Sequence, residues 1–511
     1  MTRPRIVSQT ALPRRIAQCM ALVVIGTLTV LGCSSKSSTT TVPATASTLT
    51  NRSFAFTSGA GRNLAAVLGL PQGQAFTLQF GSFGGTNIGP VTLDSGGSAA
   101  SGTVTLGSCT FRFDRSTFPA GSGPQSGTPF TIDPCQVNTA NNTLSLTAAS
   151  GETLVSAAAS PLPMTNVAVV LTTDAATGSY SVVDLTSRNV FKDIKVGGIH
   201  SDAIARFFVN QSAFPSGRVY VVNRLGADSI QILDPQLGFI TPTNGTLSVG
   251  NGTNPWDIVF VNANKAYVSR LDSPKLLIID PTTLQKKGEL DLSSLVKPTD
   301  SAGSPDPAYM LMVNDLNGPR VYVALQHQGA RGEVAVIDPT TDRIVTVITL
   351  NGKNPISEFQ LSPPPLNRIL ISSVGDFAVH DGGIEAINLD TNVVDTQFAV
   401  TEATMGGDIT AFVVVSSTKG FAIVSDTTFA NSLITFDPSS GQRLNRLVGP
   451  LNVSMVHLAF NNNRNEVYLA VIDTTIATSG LRIFDAVTDN EITTTPLNVG
   501  QFPPVFTVFV E

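Results

Sequence analysis

A short strand ending in Asp or Asn returns seven times along the C-terminal two thirds of the chain, and no other feature constrains the fold as tightly. It reads Val182-Val183-Asp184, Ile232-Leu233-Asp234-Pro235, Ile278-Ile279-Asp280-Pro281, Val336-Ile337-Asp338-Pro339, Ala386-Ile387-Asn388, Thr435-Phe436-Asp437-Pro438 and Ile483-Phe484-Asp485. Successive markers lie 50, 46, 58, 50, 49 and 48 residues apart. Asp-Pro followed by Thr-Thr or Ser-Ser-Gly predicts a tight turn in which the carboxylate accepts backbone N–H groups. A second β-branched strand precedes each marker, as in Val219-Tyr220-Val221-Val222 and Val321-Tyr322-Val323. Four of the six tyrosines, Tyr220, Tyr267, Tyr322 and Tyr468, share one position of that strand.

Each unit continues with a strand ending in Val-Gly or a similar pair, then in several units a Gly-x-x-Pro turn, then a fourth apolar strand such as Trp256 to Val261. Four short strands at a period of 40–50 residues are what propeller blades require. The chain is therefore read as all-β, a seven-bladed β-propeller over residues 164–511 preceded by a small antiparallel β domain over 51–162. The first unit starts at its second strand, and the chain stops after Val505-Phe506-Thr507-Val508-Phe509. The C-terminal strand is thus expected to complete the first blade and close the ring, which leaves few free sheet edges.

Val219-Tyr220-Val221-Val222-Asn223-Arg224, the Ile-Asp-Pro marker and the Gly-x-Asn-Pro turn resemble the YVTN repeat of lactonase-like seven-bladed propellers. The resemblance spans about two thirds of the chain and implies the fold. That family includes surface proteins, cytochrome-fused domains and sugar lactonases, so it names no single chemistry.

The N-terminus has a different logic. Arg3, Arg5, Arg14 and Arg15 precede an apolar run ending near Leu31, the layout of a secretory signal. Val30-Leu31-Gly32-Cys33 resembles a bacterial lipobox, which implies cleavage after a 1–32 signal peptide and lipid on Cys33. Ser and Thr dominate the following stretch, so 33–50 reads as a tether. Loss of the signal removes four arginines and no acid, taking the formal charge from −6 to −10, with −11 on the propeller and +1 on residues 34–163. Such a field disfavours nucleic acid as a partner. Outside the cytoplasm Cys109 and Cys135 are a natural pair. In the domain they would staple, runs such as Phe76-Thr77-Leu78-Gln79-Phe80 alternate as half-buried strands do, and Asn63 to Leu70 reads as a short helix.

Candidate chemistry concentrates on one face. The loops between second and third strands, and those leading to the next blade, emerge together around the central channel. They carry His200, His327, Arg331, His380 and Asp381, with Asp257 and His457 at the start of fourth strands. Histidine with aspartate suits a divalent metal. No Gly-x-Ser-x-Gly, phosphate-binding loop, Cys-x-x-Cys or c-type haem motif is present, and the catalytic residues remain unassigned. The expectation is a cell-envelope lipoprotein on the periplasmic side of an outer membrane or at the cell surface. It would be a monomeric propeller that binds or scaffolds a protein or glycan partner, with a lactonase-like hydrolase as the alternative.

Overall fold

Strand pairing converts the sequence repeat into seven radial sheets among the described residues. The structure, a computed structural model, describes residues 41–511 apart from short internal stretches, the longest of them 57–67. The signal at 1–32, Cys33 and all of the expected 63–70 helix except Leu68 and Leu70 lie outside the described residues.

Five blades have four strands in simple antiparallel order, the fifth blade has an extra short strand, and the seventh has three. In that seventh blade two isolated bridges, Leu481 with Leu497 and Phe484 with Glu491, stand where an outer strand would run. The ring closes as the sequence led us to expect. The C-terminal strand Pro504–Val510 pairs with Val167–Thr173 as the innermost strand of blade 1, with Val510 opposite Val167 and Phe506 opposite Leu171.

The marker residues act as the turn chemistry predicts, in all seven blades. Asp184 accepts from the backbone N–H of Thr186 and Ser187, Asp234 from Gln236, and Asp280 from Thr282 and Thr283. Asp338 accepts from Thr340, Asn388 from Asp390 and Thr391, Asp437 from Ser439 and Ser440, and Asp485 from Val487 and Thr488.

The repeated tyrosines explain how neighbouring blades hold one another. All four rings are fully buried, so each hydroxyl needs a partner, and it finds one in the turn of the following blade. Tyr220 donates to the Pro281 carbonyl at 2.8 Å, Tyr322 to Asn392 at 2.7 Å, and Tyr267 to Asp342. Across the ring closure, Arg188 of the blade 1 turn donates to Tyr468 of blade 7. Each clasp stabilises by about 1 kcal/mol and fixes the angle between two sheets.

The small domain consists of two antiparallel sheets, one of four strands and one of seven, over a shared core that includes Phe54, Leu78, Phe111, Phe113 and Leu146. The alternation read in Phe76–Phe80 is present, with Phe76, Leu78 and Phe80 buried. A disulfide joins Cys109, in a turn of the larger sheet, to Cys135, the first residue of Cys135–Asn138 in the smaller one; the Cα atoms are 6.2 Å apart. The start of this domain differs from expectation. Thr41–Pro43 pairs with Cys135–Asn138 and Ala46–Leu49 is helical, with Leu49 in the core. The segment expected as tether up to residue 50 therefore folds from Thr41 onward. Its Ser/Thr composition lacks a core pattern of its own, and a strand on the other side of the domain supplies the pairing.

Contacts between the domain and the ring fall on blades 1 and 2. Lys192, buried just after the outer strand of blade 1, pairs with Asp94, its backbone N–H donates to Gln79 at 3.2 Å, and Asn51 donates to the Gly238 carbonyl at 3.4 Å.

Candidate functional site

The inner strands share one device at the end of the channel where they begin. On five of them, in blades 1, 3, 4, 6 and 7, the register shifts at this level: between Phe506 and Pro504, Pro255 and Asp257, Pro307 and Met310, Ile409 and Ala411, and Met455 and His457. A bulge re-aims the side chain beside it, which is why bulges gather at barrel rims and next to sites. The side chains at this level are Arg206 on Ala203–Asn210 of blade 2, Asp257 on Pro255–Asn262 of blade 3, and Tyr309 on Pro307–Asp315 of blade 4. Blade 5 gives Glu358, just before Gln360–Leu361; blade 7 gives His457 on Ser454–Asn461; blade 1 gives Phe506.

Arg206 links them. Its Nε donates to Asp257 Oδ1 at 2.9 Å and its Nη1 to Glu358 Oε1 at 2.6 Å. Blades 2 and 5 are not neighbours, so the second of these bonds spans the channel. The guanidinium carbon lies 5.6 Å from the Phe506 ring centre and 5.9 Å from that of Tyr309. The Arg206 network thus runs across the channel at the end where the inner strands begin. Trp256, beside Asp257 in sequence, meets Tyr309 edge to face at 6.1 Å and lies under the Arg224 guanidinium at 4.4 Å.

The electrostatics of this network follow from burial and pairing. Asp257 has no solvent exposure and also accepts from the backbone N–H of Ile258 and Met310. Burial pushes its carboxyl above the usual range, against the opposing pull of Arg206. Glu358 ends lower than usual because Arg206 and His457 outweigh its own burial. Arg206 is held firmly protonated, its two carboxylates overcoming the cost of burial. His457, 8% exposed, packs its ring on Phe506 at 3.9 Å between centres. Burial and then Arg206 push it down to about 4, with Glu358 acting the other way. It is a neutral imidazole at physiological pH, and neither ring nitrogen has a hydrogen-bond partner.

The other sequence candidates are not brought together. His200 sits in its own turn, its Nδ1 taking the Asp202 N–H at 3.2 Å and its backbone N–H donating to Asn223. His327, fully buried, is gripped between Asp300 at 2.9 Å and Glu333 at 3.1 Å. Arg331, half exposed, reaches that same Glu333 at 3.5 Å. His380 and Asp381 belong to the loop after Arg368–Ser373 of blade 5. Asp381 accepts there from the Asp376 N–H at 2.8 Å; His380 Nε2 has no partner. That loop is stitched to the next blade by Glu402, which accepts from Gly382 and Ile409, and by Asp408, which accepts from Ala378. Burial pushes Glu402 up to about 7. Among the described residues no three His, Cys, Asp or Glu side chains are grouped so as to hold a metal ion. The expected metal cluster therefore does not form there: His200 bonds within its own turn, His327 joins two loops through Asp300 and Glu333, and His380 stands apart from both.

Two sequence candidates, Asp257 and His457, lie on either side of the Arg206 network without touching each other, and Arg206, Tyr309, Glu358 and Phe506 were missed. A faint signal existed: Asp257, Tyr309 and Phe506 each follow a proline by two residues at the start of an inner strand.

No protein-family model matches the chain, and no curated protein does. Solved structures that resemble it include dihydro-heme d1 dehydrogenase NirN in complex with DHE, at 15% identity and a TM-score of 0.43, covering 78% of this chain and 80% of that one. The Dos1 propeller matches at 12% identity and a TM-score of 0.41, covering 66% and 86%. Hydrazine synthase of Kuenenia stuttgartiensis matches at 12% identity and a TM-score of 0.34, over 45% of this chain and 62% of the length of that one. These likenesses are distant, and the seven-bladed propeller itself is read from the strand pairing.

Proposed function

We propose that the chain is a cell-envelope lipoprotein, anchored through Cys33, whose propeller binds its ligand or partner at the channel mouth beside the Arg206 network. The observation that carries this reading is the Arg206 bridge across the channel, which ties blades 2, 3 and 5 together. A surface held by such a bridge is preorganised, and preorganisation lowers the entropy cost of binding. The charged side chains of the network are engaged with one another, and a histidine pushed down to about 4 is poorly matched to general acid–base work near neutrality. Both points favour binding over a lactonase-like hydrolase.

Native mass spectrometry of the protein purified from its own envelope tests the reading. A bound species is expected in the native protein and absent from the His457→Phe variant, and Cys33→Ser should move the protein from the membrane to the soluble fraction. Lactone hydrolysis by the native protein but not by His457→Phe, with no bound species in either, would overturn it in favour of the hydrolase.

A further inference from the structure

Four large apolar side chains stand exposed at neighbouring loop tips on the face where the inner strands begin, and none of them belongs to the Arg206 network. Phe377 and Val379 lie in the loop after Arg368–Ser373 of blade 5, 46% and 60% exposed. Phe429 lies between Lys419–Ser425 and Asn431–Phe436 of blade 6, 62% exposed, and Leu451 ends the outer strand Arg443–Leu451 of that blade, 41% exposed. Single exposed apolar residues are ordinary on any protein, whereas a contiguous group marks a surface for a partner. Contiguity follows from the hydrogen bonds. The Ala378 N–H, between Phe377 and Val379, donates to Asp408 at 2.6 Å, and Asp408 pairs with Ser425. The next residue, Asp426, donates its N–H to the Ala430 carbonyl at 3.0 Å and closes the turn that carries Phe429. The Asn431 side-chain amide donates to the Phe429 carbonyl at 3.2 Å, while its backbone stands opposite Leu451. Both tips also hold backbone that L-residues avoid, with φ of 63° at Ala378 and 62° at Phe429. A phenylalanine kept in the left-handed region and turned to solvent contributes little to folding, and such outliers point to function.

The rim of this patch is acidic. Asp376 and Asp381 flank the blade 5 tip and are exposed. Asp426 opens the blade 6 turn, where the Thr428 hydroxyl and N–H hold its carboxyl below the usual range, so it keeps its charge. Lys353 stands beside them and is already engaged with Asp376 at 2.5 Å. We infer that this surface of blades 5 and 6 docks a cationic amphipathic protein segment, one in which apolar side chains alternate with Lys or Arg. The apolar side chains would cover the four tips, and the cations would meet three aspartates set against Lys353. A lipid surface fits worse, because seating the tips in a bilayer would draw the aspartates against its headgroups, and membrane-seeking surfaces carry the opposite charge. A second copy also fits worse, since a two-fold contact of this patch with itself would set aspartate against aspartate.

Fluorescence anisotropy of a labelled synthetic peptide of alternating leucine and lysine tests this on the full chain in non-ionic detergent. The native protein and its variants share that detergent, so peptide held by micelles cancels in the comparison. Saturable binding is expected, about ten-fold weaker for a leucine–glutamate peptide, for a lysine–serine peptide, and in Phe377→Ser/Phe429→Ser. Asp376→Asn/Asp381→Asn/Asp426→Asn keeps the side-chain acceptors and should weaken binding about three-fold while flattening its dependence on salt. Thermal melting shows that each variant is folded. Equal binding of the leucine–glutamate peptide, or an unchanged affinity in the aspartate variant, overturns the cationic class. Equal binding of the lysine–serine peptide, or an unchanged affinity in the phenylalanine variant, overturns the apolar surface, and no binding of the leucine–lysine peptide overturns the proposal as a whole. Two further measurements decide for the other occupants. A dye on Thr427→Cys, an exposed position of the blade 6 tip, that brominated phosphatidylcholine quenches once the chain is in vesicles assigns the tips to a lipid surface. A sedimentation coefficient that rises with concentration in the native chain but not in Phe377→Ser/Phe429→Ser assigns them to a second copy, and either result overturns the proposal.

Discussion

His327 and His457 are both buried histidines, and their surroundings are opposite. His327 has a carboxylate on each ring nitrogen, Asp300 and Glu333, with Lys297 and Arg331 reaching Glu333 from outside at 3.4 Å and 3.5 Å. His457 has an aromatic ring on one face and no partner on either nitrogen. A buried polar atom without a hydrogen bond costs about 1–3 kcal/mol, so the second arrangement is the less stable one. The difference separates two uses of one residue type. His327 ties the loop between Lys297 and Asp306 to the loop after Gly318–Leu325. His457 is kept at a cost in stability, packed on Phe506 beside the Arg206 network.

His327→Ala removes the group between Asp300 and Glu333 and leaves both carboxylates facing each other with no solvent, so a loss of about 4 kcal/mol is expected. Chemical denaturation of the purified protein measures it, and a loss below about 1 kcal/mol would mean that the His327 cluster is not the clasp described here. Arg206→Met is expected to cost about 3 kcal/mol, because Asp257 keeps its two backbone donors but loses its counter-charge. Unlike His327→Ala, it should also remove the bound species expected of the native protein. A melting curve and a native mass spectrum of the same sample separate these outcomes.

The ring was legible in the sequence because its determinants are local. An Asp that caps its own turn must be Asp or Asn and must be followed by small residues, and a tyrosine that bonds the next blade recurs at one position, so both repeat visibly. Closure was legible for the same reason, since the first unit lacks its inner strand and the last residues supply one. The Arg206 network was not legible. Arg206 and Glu358 are 152 positions apart in sequence, and their meeting depends on the curvature of the whole ring and on bulges marked only by the prolines before Asp257, Tyr309 and Phe506. The loops of one face offered His200, His327, Arg331, His380 and Asp381, of which His327 and Arg331 share Glu333 and the others stand apart, alongside Asp257 and His457. Thr41–Pro43 was hidden for a related reason, because its strand exists only through its partner Cys135–Asn138.

The two histidine regions should also respond to pH in opposite directions. Near His327, burial pushes Asp306 up to about 7, and its carboxylate accepts the Gln328 N–H. A carboxyl raised in the folded state stabilises fully below its unfolded value near 4, and that contribution is lost as pH rises through about 7. The native protein should therefore lose stability relative to Asp306→Asn between about pH 4 and pH 7. His457 works the other way. Its pKa falls from about 6.5 unfolded to about 4 folded, so the unfolded chain takes the proton first, and stability drops as pH falls between those values, by about 3 kcal/mol in all. Denaturation of the native protein and the two variants at pH 4, 5.5 and 8 resolves both limbs. An acid limb unchanged in His457→Phe would place the titrating group elsewhere.

The smallest expected effect is the most discriminating. At pH 7.5, His457→Phe removes a buried group with two unmet nitrogens and adds a ring that can stack on Phe506, so stability should hold or rise by up to about 1 kcal/mol. A residue kept for structure would lose stability on replacement, as His327 should. A residue kept for binding would lose only its ligand, a trade of stability for function that is common at binding sites. If His457→Phe is destabilised by more than about 2 kcal/mol with no change in the bound species, His457 belongs with His327 as a structural group, and the contrast between the two histidines is gone.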